Sequence, residues 1–357
     1  VTTTPSVSYI ARVDEFDCGI MISASHNPYY DNGIKLINSD GEKMSQDVID
    51  QIEKYLDGEI EIPFALKDNI GKTVDYVNGR NRYMGYLIGL AEYSFKGFEV
   101  GIDAANGSAW ALAKAVFDAL GAHTYVIHAE PNGLNINEDS GSTHMEALQK
   151  LVVDKGLDIG LAFDGDADRC LAVDEHGNIL TGDHIIYMYA KYMKSKGTLK
   201  DNTVVATVMS NLGFFKALEA EGIDCVVTDV GDKNVYAAMV KDDYRLGGEQ
   251  SGHIILSKFA TTGDGLITAI KLMEVIIASK KSVGTLASGM KEYPQILINV
   301  KVADKNAAME NEEVLAEVKK TEELLAGDGR VLVRKSGTEP LVRVMVEAKD
   351  NVTCREM

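Results

Sequence analysis

Apolar runs bounded by glycine alternate with amphipathic stretches along most of this chain, which is the mark of βαβ units. The first run, GIMI at 19–22, reads as a strand. After it, DVIDQIEKYLDG (47–58) sets Val48, Ile49, Ile52, Tyr55 and Leu56 at helical spacing. FEVGIDA (98–104) predicts a buried strand, 108–120 a helix closed by Gly121 at its C′ position, and TYVIHA (124–129) the next strand. LDIGLAF (157–163) is a third apolar run, and it stops directly at an acidic segment.

A second unit of the same kind begins near Gly182. It reads as helix 183–195, strand TVVATVM (203–209), helix 213–221, strand DCVVTDV (224–230), a glycine-bounded helix, the segment LGGEQSGHIIL and a long helix over 264–280. From about Pro294 the pattern changes to a strand QILINVKV, an acidic helix over 307–325, and paired strands RVLVRK and PLVRVMVEA. The predicted fold class is therefore α/β: three similar α/β domains followed by a smaller α+β domain. Their expected limits are 1–80, 81–180, 181–292 and 293–357. The repeats share architecture but no clear residue-level self-similarity.

Composition narrows the picture. A chain of 357 residues is too long for one ordinary core, so two to four domains are expected. With 54 acidic against 36 basic side chains, the net charge of −18 repels nucleic acid and anionic membrane. No apolar stretch approaches the roughly 18 residues needed to span a bilayer, and the opening segment is no signal peptide. The four cysteines, Cys18, Cys170, Cys225 and Cys354, form no CxxC pair, and three of them lie in apolar strand-like runs, which fits reduced core thiols of a cytoplasmic protein. An acidic chain that binds phosphate must gather its few cations locally.

Four segments carry candidate chemistry. SASHNP (23–28) follows a strand, where open α/β sheets place ligands. Ser25 there is a candidate nucleophile with Lys35 as charge partner, although SHNP is also good turn chemistry. DGDADR (164–169) sets Asp164, Asp166 and Asp168 at alternating positions, and three such carboxylates repel one another unless a divalent cation neutralises them. A calcium loop ending at Glu175 competes with this reading, but Arg169 stands where that loop needs glycine. A solvated acidic loop is the third alternative.

GGEQSGH (247–253) offers Glu249, Gln250, Ser251 and His253 on a flexible backbone, as a polyhydroxylated ligand requires or as a polar hairpin loop would. RKSGTEPLVR (334–343) concentrates Arg334, Lys335, Ser336, Gly337, Thr338 and Arg343 into a phosphate clamp without any Walker pattern. His26 and His253 gain interest only from the segments they occupy.

In this order these segments resemble the α-D-phosphohexomutase superfamily, over nearly the whole chain, with one signature per domain. PNGLNINEDSGSTH (131–144) and GGEQSGH are similar to signatures of its amino-sugar branch. Gln250 stands where phosphomannomutases and phosphoglucomutases generally carry another residue.

The resemblance implies a cytoplasmic isomerase with four domains around a central active-site cleft and a mobile C-terminal clamp. It would shift phosphate between positions 6 and 1 of glucosamine phosphate, upstream of UDP-N-acetylglucosamine and cell-wall synthesis. Ser25, as phosphoserine, would carry the phosphate, with His26, Lys35 and Arg169 as its catalytic neighbours. One Mg²⁺ would be held by Asp164, Asp166, Asp168 and the phosphorylated Ser25. Glu249, Gln250, Ser251 and His253 would bind the sugar, and Arg334, Ser336, Gly337, Thr338 and Arg343 the phosphate that is not reacting. Glucose or glucosamine 1,6-bisphosphate would act as activator, a small phosphosugar as the partner, and a homodimer is admitted.

The family pattern also has a GTDGIRG-type stretch before this chain's start and a final helix after its last strand. On that basis both outer domains are expected to be truncated, and a non-catalytic phosphosugar-binding chain is an alternative. Phosphomannomutase or phosphoglucomutase activity is another. Lys233 in VGDKNV stands where the family usually has arginine, which weakens a bidentate contact there.

Overall fold

The computed structural model describes residues 2–336 and 340–357. The chain opens with α1 (Thr4–Val13), β1 (Cys18–Ser23), β2 (Gly33–Asn38), α2 (Gln46–Leu56) and α3 (Val77–Gly89). Then come β3 (Glu99–Asp103), α4 (Leu112–Ala119), β4 (His123–Ile127), α5 (Glu146–Lys155), β5 (Ile159–Phe163), β6 (Cys170–Val173) and β7 (Ile179–Leu180). The third stretch holds α6 (Gly182–Ser195), β8 (Thr203–Thr207), α7 (Leu212–Ala220), β9 (Asp224–Thr228), α8 (Asp232–Asp242), β10 (Leu246–Gly248), β11 (Ile254–Leu256), α9 (Gly265–Ser279) and α10 (Val283–Ala287). The last comprises β12 (Gln295–Lys301), α11 (Lys305–Glu310), α12 (Glu312–Leu325), β13 (Gly329–Lys335), β14 (Leu341–Ala348) and α13 (Asn351–Glu356).

Two compact units result. The larger takes residues 1–209 and 223–288, the smaller 210–222 and 289–357. In the larger unit β1 and β2 form an antiparallel pair. A five-stranded sheet runs β4-β3-β5-β6-β7, with β3, β4 and β5 parallel, and a four-stranded sheet runs β11-β10-β8-β9. Every residue of β5 is buried, which is why that strand reads as a continuous apolar run without alternation. In the smaller unit β12, β14 and β13 form an antiparallel sheet in that order.

Several elements differ from what periodicity predicts. The opening residues form α1, with Thr3 as N-cap accepting from the Ser6 amide and Pro5 in the first turn. The helix expected over 108–120 is a short 3₁₀ turn, Ser108–Trp110, followed by α4, and Gly121 follows with φ 99° as expected of a C′ glycine. The acidic helix over 307–325 is two helices, because Asn311 caps the second with its side chain on the Glu313 and Val314 amides. The last residues form α13, capped by Asp350 on the Thr353 amide, where a strand end is expected. None of the apolar stripe on α2 is buried, and Leu56 is 74% exposed.

Helix α6 starts with a capping box whose N3 residue is His184. Its Nδ1 accepts from the Thr181 amide at 3.2 Å, a bond that needs the neutral ring. Burial pushes His184 down to about 4. The unfolded chain therefore takes up a proton near pH 6.5 that the folded chain refuses until about pH 4, so stability falls as pH drops through that window. The whole window corresponds to about 3 kcal/mol. His184→Gln keeps a capping-box acceptor but does not titrate. The thermal midpoint of the variant should drop less between pH 7 and pH 5 than that of the parent; equal drops would rule this group out as the cause.

Candidate active site

Strand β5 delivers DGDADR at its carboxyl end, and the ligand atoms of Asp164, Asp166 and Asp168 lie within 4.8 Å of one another. All three carboxylates are buried. Asp164 accepts from the Arg169 amide at 3.0 Å through Oδ1. Asp166 Oδ2 takes the Thr4 hydroxyl and Lys35 Nζ, both at 2.5 Å, and Lys35 Nζ also reaches Asp168 Oδ2 at 2.9 Å. The remaining oxygens, Asp166 Oδ1 and Asp168 Oδ1, are buried without a hydrogen-bond partner among the described residues.

Buried carboxylate oxygens left open in this way incur a desolvation cost, and a hard divalent cation is the group that relieves it. The donor set fits: oxygen only, three carboxylates, with room for non-protein ligands. Glu175, which the calcium-loop alternative needs, instead accepts from the Gly284 amide at 3.0 Å and is not in the cluster.

The charges respond to this crowding. Burial, then Asp168 and Asp166, push the Asp164 carboxyl well above the usual range. Asp168 goes the other way: burial opposes its charge, but His253 and Lys35 hold it well below the usual range. Burial likewise opposes the charge of Lys35, and Asp168 and Asp166 overcome it and raise the ammonium above its normal value. A lysine held in its charged form and an ionised Asp168 thus coexist with an Asp164 carboxyl that resists ionisation.

Ser25 stands over this cluster. Its Oγ is 3.5 Å from Asp164 Oδ2 and 3.4 Å from His26 Nδ1, and its backbone adopts φ 53°. The left-handed region is unfavourable for a residue with a β-carbon, and such strain is often found at functional sites. Burial first, then Arg169, holds His26 below its usual range. The Arg169 Nε is buried and lacks a hydrogen-bond partner among the described residues.

The GGEQSGH loop is tied to the same place by its backbone. Gly252 O accepts from the Cys170 amide at 3.1 Å, and a β-carbon on Gly252 would lie 2.6 Å from Cys170 O. Glu249 accepts from the Gly231 amide at 3.0 Å, Ser251 Oγ is buried without a partner among the described residues, and Gln250 O accepts from the Gly182 amide. His253 is placed otherwise than a sugar-facing group. It is 5% exposed, with Nδ1 3.7 Å from Asp168, Nε2 3.6 Å from Asp232, and the Gly263 amide donating to Nε2. It backs the carboxylates from the position immediately before β11, with its ring buried.

A cavity of about 380 Å³ opens beside Lys35 and Asp168, lined also by Thr4, Lys43, Asp232 and Lys233. Lys43 bridges to Asp232 at 2.6 Å across it. Thr4, Asp232 and the Asn137 side chain, which donates to Ser25 O and Asn27 O, belong to the site; Thr4 carries no local sequence signal, and the other two lie in segments noted only for their resemblance.

In the smaller unit, Arg334 on β13 faces Arg343 on β14 in the strand register. Burial, then Arg343, lowers the basicity of Arg334. Like charges directly opposite each other across a ladder are destabilising, which favours an anion between them. Ser336 is buried, and its amide donates to Leu341 O at 3.0 Å. Gly337 and Thr338 lie outside the described residues.

Known proteins resemble the chain throughout. Residues 1–62, 81–177 and 181–293 match the phosphoglucomutase/phosphomannomutase alpha/beta/alpha domains I, II and III, and 297–357 match the C-terminal domain of that family. A phosphoglucosamine mutase of Lachnospira eligens is 64% identical over all of this chain and 79% of its own length. A phosphoglucomutase/phosphomannomutase family protein of Burkholderia thailandensis has the same fold, with TM-score 0.78 and 20% identity over 100% of this chain and 79% of the other. So does the Aspergillus fumigatus N-acetylphosphoglucosamine mutase, solved with GlcNAc-6P and magnesium, with TM-score 0.75 and 20% identity over 99% of this chain and 90% of the other. Among the described residues no helix is long and apolar enough to cross a membrane.

Proposed function

The chain belongs to the phosphoglucomutase/phosphomannomutase family, and from that premise we propose that it interconverts glucosamine 6-phosphate and glucosamine 1-phosphate. Membership makes it an isomerase that relocates a phosphoryl group. The observation that carries the assignment of parts is Ser25 Oγ standing 3.5 Å from a buried aspartate trio with two open oxygens.

Ser25 is the phosphoryl carrier. In the forward step the bond from phosphorus to Ser25 Oγ breaks and one to the sugar O1 forms. The O1 proton leaves as the serine oxygen gains one, and His26 Nδ1, 3.4 Å from Oγ, is in reach to relay it. The 1,6-bisphosphate then reorients, its 6-phosphate returns to Ser25, and a glucose or glucosamine 1,6-bisphosphate primes an unphosphorylated enzyme. Such transfer needs positioning and charge neutralisation more than covalent help from the protein. Lys35, held on Asp166 and Asp168, and Arg169, whose charge acts on His26, supply positive charge to the site.

Asp164, Asp166 and Asp168 are the residues that would hold Mg²⁺ together with a phosphoserine oxygen. When bound, the ion neutralises charge on the transferring phosphoryl group. Glu249, Gln250 and Ser251 are assigned to the sugar, with His253 fixing Asp168 from behind. In the C-terminal unit, Arg334, Ser336, Gly337, Thr338 and Arg343 are assigned to the phosphate that is not reacting. The four cysteines, all free thiols, fit a cytoplasmic setting.

Substrate choice is tested by ³¹P NMR with glucosamine 6-phosphate, glucose 6-phosphate and mannose 6-phosphate under identical conditions. The amino sugar is expected to have a kcat/KM at least about tenfold above either neutral hexose phosphate, a difference near 1.4 kcal/mol in transition-state binding. A tenfold preference for a neutral hexose phosphate would overturn the assignment in favour of a phosphoglucomutase or phosphomannomutase.

A further inference from the structure

The segment PNGLNINEDSGSTH has no task in the reaction as set out above, yet one of its side chains reaches the nucleophile loop. Asn137 is 7% exposed, and its Nδ2 donates to Ser25 O and to Asn27 O, each at 2.8 Å. The Ser25 carbonyl accepts a second bond, 3.1 Å long, from the Gly165 amide of the acidic loop. Two donors converge on one carbonyl, and they come from two different loops.

That carbonyl belongs to the residue whose backbone is strained. With Ser25 at φ 53°, relaxation toward ordinary backbone angles would rotate the 25–26 peptide and swing Oγ away from Asp164. Hydrogen bonds that hold the peptide oxygen oppose that rotation. The fit leaves no slack: a β-carbon on Gly165 would lie 2.5 Å from Ser25 O and 2.9 Å from Asn137 Nδ2. Asn137 itself sits at φ 59°, a region that asparagine tolerates better than most residues, and its amide is fixed on Ala105 O at 2.9 Å.

The rest of the segment is stabilised without this side chain. Asn132 Oδ1 accepts from the Leu134 and Asn135 amides, and Asn135 Nδ2 donates to Glu130 O. The side-chain amide of Asn137 instead donates to the serine loop, 110 and 112 residues away. Its contribution is therefore concentrated on the orientation of Ser25.

We propose that Asn137 is a positioning residue for phosphoryl transfer, clamping the Ser25 carbonyl so that Oγ stays aimed at the carboxylate site. This rests on Ser25 being the phosphoryl carrier. Asn137→Asp is the informative change, since it keeps the shape but replaces the donor with an oxygen facing two carbonyl oxygens.

The experiment follows phosphate transfer from glucose 1,6-bisphosphate to Ser25 by rapid quench and mass spectrometry, beside steady-state kinetics and thermal midpoints. A misplacement of about 1 Å costs roughly 100-fold in rate. The expected result is a fall of about that size in both transfer to Ser25 and kcat. KM should stay within about threefold and the Mg²⁺-induced rise in thermal midpoint should match the parent. Should Asn137→Asp not fold, Asn137→Ser, smaller and neutral, carries the same comparison. Transfer within threefold of the parent in a folded variant overturns the proposal, as does a loss confined to KM or to the metal response. A parent that acquires no phosphate on Ser25 refutes the carrier assignment itself, and the proposal falls with it.

Discussion

Replacing Ser25 by alanine is expected to lower mutase activity by about 10⁴-fold or more while leaving the protein folded. The neighbouring hydroxyls do not substitute for it. Thr4 is committed to Asp166, Ser23 Oγ accepts from the Ser25 amide, and Ser251 Oγ is buried. Alanine has the same β-carbon, so the strain at φ 53° is unchanged and only one exposed-side oxygen is removed. The thermal midpoint should move by no more than a few degrees. The measurement is ³¹P NMR of glucosamine 6-phosphate turnover, with intact mass before and after incubation with a hexose 1,6-bisphosphate. The parent should gain one phosphate and the variant none. Activity within tenfold of the parent, or a phosphate adduct on the alanine variant, would remove Ser25 from its role.

Much of this site is legible locally because its parts lie at strand ends. IGLAF announces β5 by being apolar throughout, and the carboxylates follow it without a gap, so the acidic loop can be read from one segment. Gly121 is legible for the same reason, since a helix end needs a residue that accepts positive φ. What periodicity misses depends on contacts distant in sequence. Thr4 reaches Asp166 across 162 positions, and Asn137 reaches Ser25 across 112.

Nothing in TTTPS or NINED distinguishes a clamp from a turn, because the partner is not nearby. His253 misleads in the opposite sense. Its segment is polar and glycine-rich, but the ring is buried immediately before β11 and finishes against Asp168. The stripe on α2 is another limit: helical spacing establishes that one face is apolar, and the fold leaves that face half-buried to exposed. Asn311 divides one predicted helix into two because a single side-chain cap outweighs continuing periodicity.

The second large effect concerns the aspartates, where stability and activity should separate. Three carboxylates are buried together, Lys35 pairs with Asp166 and Asp168, and the ionisation of Asp164 is opposed by burial and by Asp168 and Asp166. Asp164→Asn replaces a carboxyl that ionises only against burial and its neighbours with a neutral group whose carbonyl oxygen can still accept from the Arg169 amide. In chelator-treated protein this relieves repulsion, so the variant should melt at or above the parent. Added Mg²⁺ reverses the order. At about 100 times its Kd the ion should stabilise the parent by about 2.7 kcal/mol, and the variant, lacking one ligand, should gain little. Activity should fall with the ligand, by roughly 100-fold or more, and chelation of the parent should abolish turnover until Mg²⁺ is restored. Calorimetric scans of both proteins with chelator and with excess Mg²⁺, beside turnover under the same conditions, test every arm. If the chelated variant melts well below the chelated parent and still responds fully to Mg²⁺, Asp164 is a structural residue and the cation is held elsewhere.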